Sequence, residues 1–197
     1  MRRWVVVLAL CGLVATASSG HAARNPLIPT PIGAAPGFHP PALSRPVATR
    51  REVAGLRCER ESGTRFGVHL ELFARGRVVI VPAGIGVAPP WSNPRPHVVS
   101  GACSYAARTT TPTGVIEVRT GRELTLRDFF AVWGQSLGER RLAGFRAPPR
   151  QDIRAYVAGS RWRGSVRAIP LARHAEIVLE LGPYIPPHST FLFTRGL

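Results

Sequence analysis

The segment LTLRDFFAVWGQSL, at 124–137, restricts the possible folds more than any other. Leu126, Phe129, Phe130, Val132, Trp133 and Leu137 recur at helical spacing and give one apolar face. Thr125 is a good N-cap, and Asp128 three residues on makes a variant of the capping box. Gly134 weakens the helix, and Gly138 is expected to end it. The aromatic side chains on this face read as core rather than as a ligand box.

The other periodic segments are short and extended. In VHLELF, at 68–73, Val68, Leu70 and Leu72 alternate with His69, Glu71 and Phe73. A turn at Gly76 leads to VVIV, at 78–81, which Pro82 stops, so the pair reads as a β-hairpin. Further strands are expected in GVIEVR at 114–119, IRAYV at 153–157 and AEIVLEL at 175–181. AIPL at 168–171 and TFLF at 190–193 read as short extended pieces. This order predicts an α+β fold, a single small domain with one main helix on a mixed β-sheet, in a β-grasp-like arrangement. A β-grasp carrier needs a free Gly-Gly tail, whereas Arg195-Gly196-Leu197 stands here.

The expected organisation is a signal peptide at 1–22, a Pro-rich disordered linker at 23–54 and a globular domain at 55–197. Arg2 and Arg3 precede WVVVLALCGLVATA at 4–17, and Gly20-His21-Ala22 has the small-x-small form of a cleavage site. This apolar run of 14 residues falls short of the roughly 20 that span a bilayer. Cys11 follows Leu10 deep in the run, which does not suit lipid attachment. The linker holds Pro26, Pro29, Pro31, Pro36, Pro40, Pro41 and Pro46 without a sustained apolar period. The protein is therefore expected to be secreted or extracytoplasmic, with no transmembrane segment after cleavage. In that oxidising context Cys58 and Cys103 are expected to pair, closing a loop of about 45 residues worth roughly 4 kcal/mol at most.

The formal net charge is +15, and all 26 basic residues are arginine. Such a charge favours anionic partners, a cell-surface polymer or a small anion. The arginines are neither clustered on one helix nor interleaved with aromatics as a stacking platform, which argues against nucleic acid.

Catalytic patterns are scarce. There is no GxSxG elbow. The two aspartates are Asp128, assigned to the helix start, and Asp152. Glu71, Glu117, Glu123, Glu176 and Glu180 show no pairing that marks glycoside chemistry. Gly84-x-Gly86 has no following helix and no lysine, and reads as a turn rather than a phosphate loop. No HxH or HxxxH pair anchors a metal, although His69, His174 and a carboxylate could meet in the fold.

As a set, the motifs resemble a group of uncharacterised secreted or membrane-tethered bacterial proteins. Their pattern runs from a Cys through HxHxHLxxF, PAxIGI, CxYxLHTHDxxGxIHxE and FTLGxFFxxWGxxL to a closing VxxxIxLxxHxxIxLEhG strand. The matching residues here are Cys58, HLELF at 69–73, VPAGIGV at 81–87, Cys103, Tyr105, GVIEV at 114–118, LTLRDFFAVWGQSL at 124–137 and IPLARHAEIVLELGP at 169–183. The resemblance implies a cluster of imidazoles on adjacent strands beside a carboxylate, suited to a metal or to protons. Here Arg65 and Gly67 stand for two of those histidines, and His69 alone is kept. Arg108 and Thr110 stand for the pair in HTH, Thr111 for the Asp and Glu117 for the last His.

The expectation is thus a non-enzymatic binding or accessory module with no cofactor. Its candidate ligand surface is Arg65, His69, Arg108, Thr110 and Glu117, suited to an anion. The alternative is a reduced zinc or copper site at His69, Glu117 and His174.

Overall fold

A computed structural model describes residues 37–40, 52–93, 97–185 and 191–197. The segment read as a signal peptide and much of the linker lie outside them.

The described residues form a small single domain, largely β, with mixed sheets and one α-helix. Its strands are β1 (Gly37–Phe38), β2 (Glu52–Val53), β3 (Leu56–Arg57), β4 (Arg65–Ala74), β5 (Arg77–Val79), β6 (Ala107–Arg108) and β7 (Val115–Arg119). The helix α1 (Leu126–Trp133) follows, then β8 (Leu137–Gly138), β9 (Arg141–Leu142), β10 (Phe145–Arg146), β11 (Arg154–Val157), β12 (Ser160–Trp162) and β13 (Glu176–Leu181). The main sheet has the order β1-β5-β4-β13-β11-β12, and β7, itself paired with β6, joins the first half of β4.

β4 organises this sheet. Its alternation puts Val68, Leu70 and Leu72 on one face, and these are buried with Ile116, Val118, Leu126, Phe129, Phe130 and Trp133 in one cluster. Along one edge, β4 pairs antiparallel with β7, from Arg65↔Arg119 to His69↔Val115, and then with β5 at Phe73↔Val78 and Ala74↔Arg77. Its other edge pairs parallel with β13, from Glu176↔His69 to Leu181↔Ala74. Parallel pairing goes with strands covered on both faces. The second face carries Arg65, Gly67, His69, Glu71 and Phe73, and among these Arg65 and His69 are each 7% exposed. The polar face implied by the alternation is present, but it is roofed rather than open to water.

Thr125 and Asp128 form the expected capping box, with the Thr125 N–H donating to Asp128 Oδ2 at 2.9 Å. The helix ends earlier than expected. Gly134, not Gly138, is the C-cap, in the left-handed conformation at φ 74°, where a side chain would be strained. Residues after it turn into β8, and β8–β9–β10 form a small antiparallel sheet. Two-residue strands have no periodicity to read, so this sheet left no trace in the sequence.

Other elements also depart from expectation. β1 and β2 fall within the segment read as a linker, and β1 extends the main sheet beside β5. AIPL is extended only from Ile169, since Ala168 ends a 3-10 turn at Val166–Ala168; Pro170 bridges Thr125, and Ile169 and Leu171 bracket the start of α1 through Leu126 N–H to Ile169 O and Leu171 N–H to Leu124 O, both under 3 Å. Phe191, Leu192 and Phe193 form no strand, and Phe191 and Phe193 instead pack on the second face of β4. The Cys58–Cys103 disulfide is formed, with Cα atoms 5.5 Å apart.

Phe130 is 1% exposed at the centre of the core. Phe130→Ala is expected to lower the unfolding free energy by about 3–5 kcal/mol, measured by urea denaturation of the disulfide-bonded chain.

Candidate functional site

The second face of β4 gathers most of the predicted site residues. Opposed residues on paired strands share a face, so Arg65 meets Arg119, and Gly67 meets Glu117, which is also opposite Arg108. The disulfide and a bridge between Glu59 and Ser104 hold the 59–61 turn against this edge. Glu59 and Glu61 are thereby delivered to the arginines.

The Arg65 guanidinium has five N–H groups, and all are engaged. Nε donates to Glu61 Oε1 at 3.0 Å. Nη1 donates to the carbonyls of Ala106 and Glu117, each at 3.2 Å. Nη2 donates to Ser104 Oγ at 3.0 Å and to the Tyr105 carbonyl at 3.1 Å. Arg108 spans the two carboxylates, with Nε to Glu117 Oε2 at 2.8 Å and Nη1 to Glu61 Oε2. Thr110 Oγ1 donates to the other oxygen of Glu117, and Ser104 Oγ donates to Glu61 Oε2 at 2.7 Å. Arg119 Nη1 bonds Glu59. The arginines Arg65, Arg108 and Arg119 thus face the carboxylates Glu59, Glu61 and Glu117, and their formal charges cancel.

Burial pulls the Arg65 guanidinium below its ordinary value; Glu61 opposes this, while Arg108 and Arg119 add repulsion. For Glu61 burial acts upward, but the hydrogen bonds from Ser104 and Arg65 and the charges of Arg108 and Arg65 outweigh it. The carboxyl sits below its ordinary 4.5.

Arg65, Arg108, Thr110 and Glu117 therefore converge as the candidate surface requires, but they bind one another. An arginine whose five donors all meet protein acceptors offers no edge to an outside anion. His69 stands apart from this network. Its Nε2 lies 3.1 Å from the Thr113 carbonyl, which can only accept, so Nε2 carries the hydrogen. Its ring stacks on Phe191 with centroids 3.9 Å apart.

The alternative metal set is not assembled. The Glu117 oxygens are engaged by Arg108 and Thr110. His174 Nε2 bonds the Leu197 carbonyl at 2.7 Å, and its ring stacks on Phe193. Among the described residues no group of three or more His, Cys, Asp or Glu side chains could hold a metal ion. Gly84-x-Gly86 is a turn whose amides face inward, with Gly84 N–H donating to Thr109 O and Ile85 N–H to Thr109 Oγ1.

Glu59, Glu61, Ser104 and Arg119 were missing from the expected site. The alternation of Glu117 with Arg119 was a usable signal, since it puts both on one face. Glu59 and Glu61 reach the site through the disulfide and the Glu59–Ser104 bridge, which bring together residues distant in sequence. No family model, curated protein or solved structure matches this chain.

The depressed Glu61 carboxyl stabilises the fold most where it is charged, above its ordinary 4.5, and this contribution is lost as pH falls through the lower folded value. The unfolding free energy of the wild type should exceed that of Glu61→Gln by a constant margin near neutrality, and the gap should close on acidification. Urea midpoints from pH 7 downward check this, and a gap that ignores pH would deny the charge a role.

Proposed function

We propose that this protein is an extracytoplasmic, non-enzymatic binding module that holds an anionic polymer of the cell surface through exposed arginines. One observation carries the reading. Arg141 and Arg146 are cross-strand partners on β9 and β10, and with Arg140 they line a single cleft of about 210 Å³. Like charges set opposite each other destabilise a strand pair. None of the three forms an ion pair among the described residues. An anionic partner would relieve that repulsion.

The distribution of carboxylates supports the same reading. Glu61 and Glu117 are tied into the arginine network, Asp128 into the helix cap and Glu180 into a pair with Arg154. Arg127, Arg161, Arg163 and Arg167 remain exposed. These ion pairs withdraw arginines and carboxylates in equal numbers, so the arginine excess of the composition stays on the outward face.

The N-terminal sequence supports export, and a disulfide persists in oxidising compartments. Among the described residues no helix is long and apolar enough to cross a membrane. The core is read as a β-grasp. The order β5-β4-β13-β11-β12, a parallel central pair and a helix between the two hairpins in sequence support this, with β6 and β7 as an addition to β4. The resemblance to the histidine-rich bacterial group is supported by geometry. Arg65, Gly67, Arg108 and Glu117, which stand at its imidazole positions, share one face of the sheet. The imidazole cluster would then have been exchanged for a neutral Arg–Glu network, which leaves a scaffold that binds elsewhere.

On an acidic polysaccharide column the mature chain is expected to be retained and released by salt. The variant R140A/R141A/R146A should elute at clearly lower salt with an unchanged melting temperature. Elution of wild type and variant at the same salt would overturn the assignment.

A further inference from the structure

A different cavity, of about 270 Å³, lies between the β2–β3 turn and the end of β7. Leu56 and Arg57 line it from one side, Arg119 and Arg122 from the other, and Glu59 also borders it. Arg119 is 8% exposed. Its Nη1 is bonded to Glu59, but Nε and Nη2 are buried and have no hydrogen-bond partner. These two nitrogens form the side of the guanidinium that offers parallel N–H groups, the geometry that grips a carboxylate or phosphate with two bonds. Buried donors left without an acceptor are costly, because their desolvation is not offset.

We propose that this cavity is a binding site for a small oxyanion, phosphate or a phosphomonoester headgroup, held by the Nε/Nη2 edge of Arg119. The charge balance favours an anion. Arg57, Arg119 and Arg122 bring three guanidinium groups to the cavity, against Glu59 on its wall and Glu52, which pairs with Arg57 at 3.7 Å. The Glu59 carboxylate is already directed at protein cations, with Oε2 on Arg119 and Oε1 3.9 Å from Arg122 Nη2. Arg122 is exposed and only loosely paired with Glu59, so it can swing over a bound anion, while the Arg119 guanidinium is held by Glu59 and its backbone by Ala106 O at 2.8 Å. Arg65, on the neighbouring strand, differs in having every donor occupied. This site uses none of the residues assigned to the polymer, so the two proposals stand or fall separately.

The test follows the Nε–H resonance of Arg119 in the arginine-labelled, disulfide-bonded mature chain. It is titrated with inorganic phosphate and, in parallel, with glycerol phosphate, against chloride at equal ionic strength. A saturable shift specific to the oxyanions is expected, and the tighter probe identifies the free ion or the headgroup as the source. Arg119→Lys keeps the charge but loses the edge, and should weaken binding about tenfold or more. If that variant does not fold, the exposed-side variants Arg57→Ala and Arg122→Ala should each weaken binding severalfold with the melting temperature unchanged. R140A/R141A/R146A should bind phosphate as the wild type does. No saturable response beyond chloride, or unaltered binding in both Arg57→Ala and Arg122→Ala, would overturn the site.

Discussion

Arg65 sits where the sheet, the disulfide-held turn and the β6 edge meet, and its hydrogen bonds join all three. Its own backbone is the first residue of β4, its Nε reaches the 59–61 turn, and its Nη groups hold the carbonyls of 105, 106 and 117. A charge this deeply buried is tolerated because every donor has an acceptor and a carboxylate lies beside it. Removing one partner of such a set typically costs about 3–5 kcal/mol, since the remainder is left buried and uncompensated. The cationic group that looked like a ligand-binding element is thus a cross-link of the fold. Its neighbour Arg119 differs in one respect, the pair of donors that the protein does not satisfy.

The second face of β4 is closed by aromatic side chains as well as by ion pairs. Phe193 stands so close to Gly67 that a Cβ added there would lie 2.5 Å from its ring. Only glycine at 67 admits this contact. Phe191 stacks on His69 and Phe193 on His174, and the Phe191 N–H donates to Glu176 Oε1 at 3.0 Å. The histidines that could have approached a metal are therefore each held against a ring and a carbonyl. Aromatic stacking of this kind adds about 0.5–1.5 kcal/mol per pair beyond area burial, and it sets the 191–197 segment over the second face of β4.

The division of charge follows from the same arrangement. Carboxylates are few, and the network, the helix cap and the Arg154 pair engage Glu59, Glu61, Glu117, Asp128 and Glu180. These ion pairs take up arginines and carboxylates in equal numbers, so the arginine excess stays outside, and at β9 and β10 Arg140, Arg141 and Arg146 form no ion pair among the described residues. A basic surface of this origin needs no cluster in the sequence.

Local rules settled the elements whose signal is periodic or is a cap. The helix within 124–137 and its start at Thr125, the alternation at 68–73, the strands near 115 and 176, and the pairing of Cys58 with Cys103 were all legible, since each depends on neighbours in the chain or on a single possible partner. Elements that exist through partners distant in sequence were not. The strands β1, β6 and β8 to β10 have only two residues each, and a pair of residues carries no period. The helix stop moved from Gly138 to Gly134 because the left-handed cap conformation, not the mere presence of glycine, ends a helix. The site divides in the same way. Alternation put His69 on the polar face of its strand and the resemblance added Arg65, but only the tertiary structure could engage Arg65 completely, leave one edge of Arg119 unmet and turn the 191–197 segment onto His69. Hydrogen-bond satisfaction is a property of the whole set of neighbours in space, and residue types listed along a chain do not contain it.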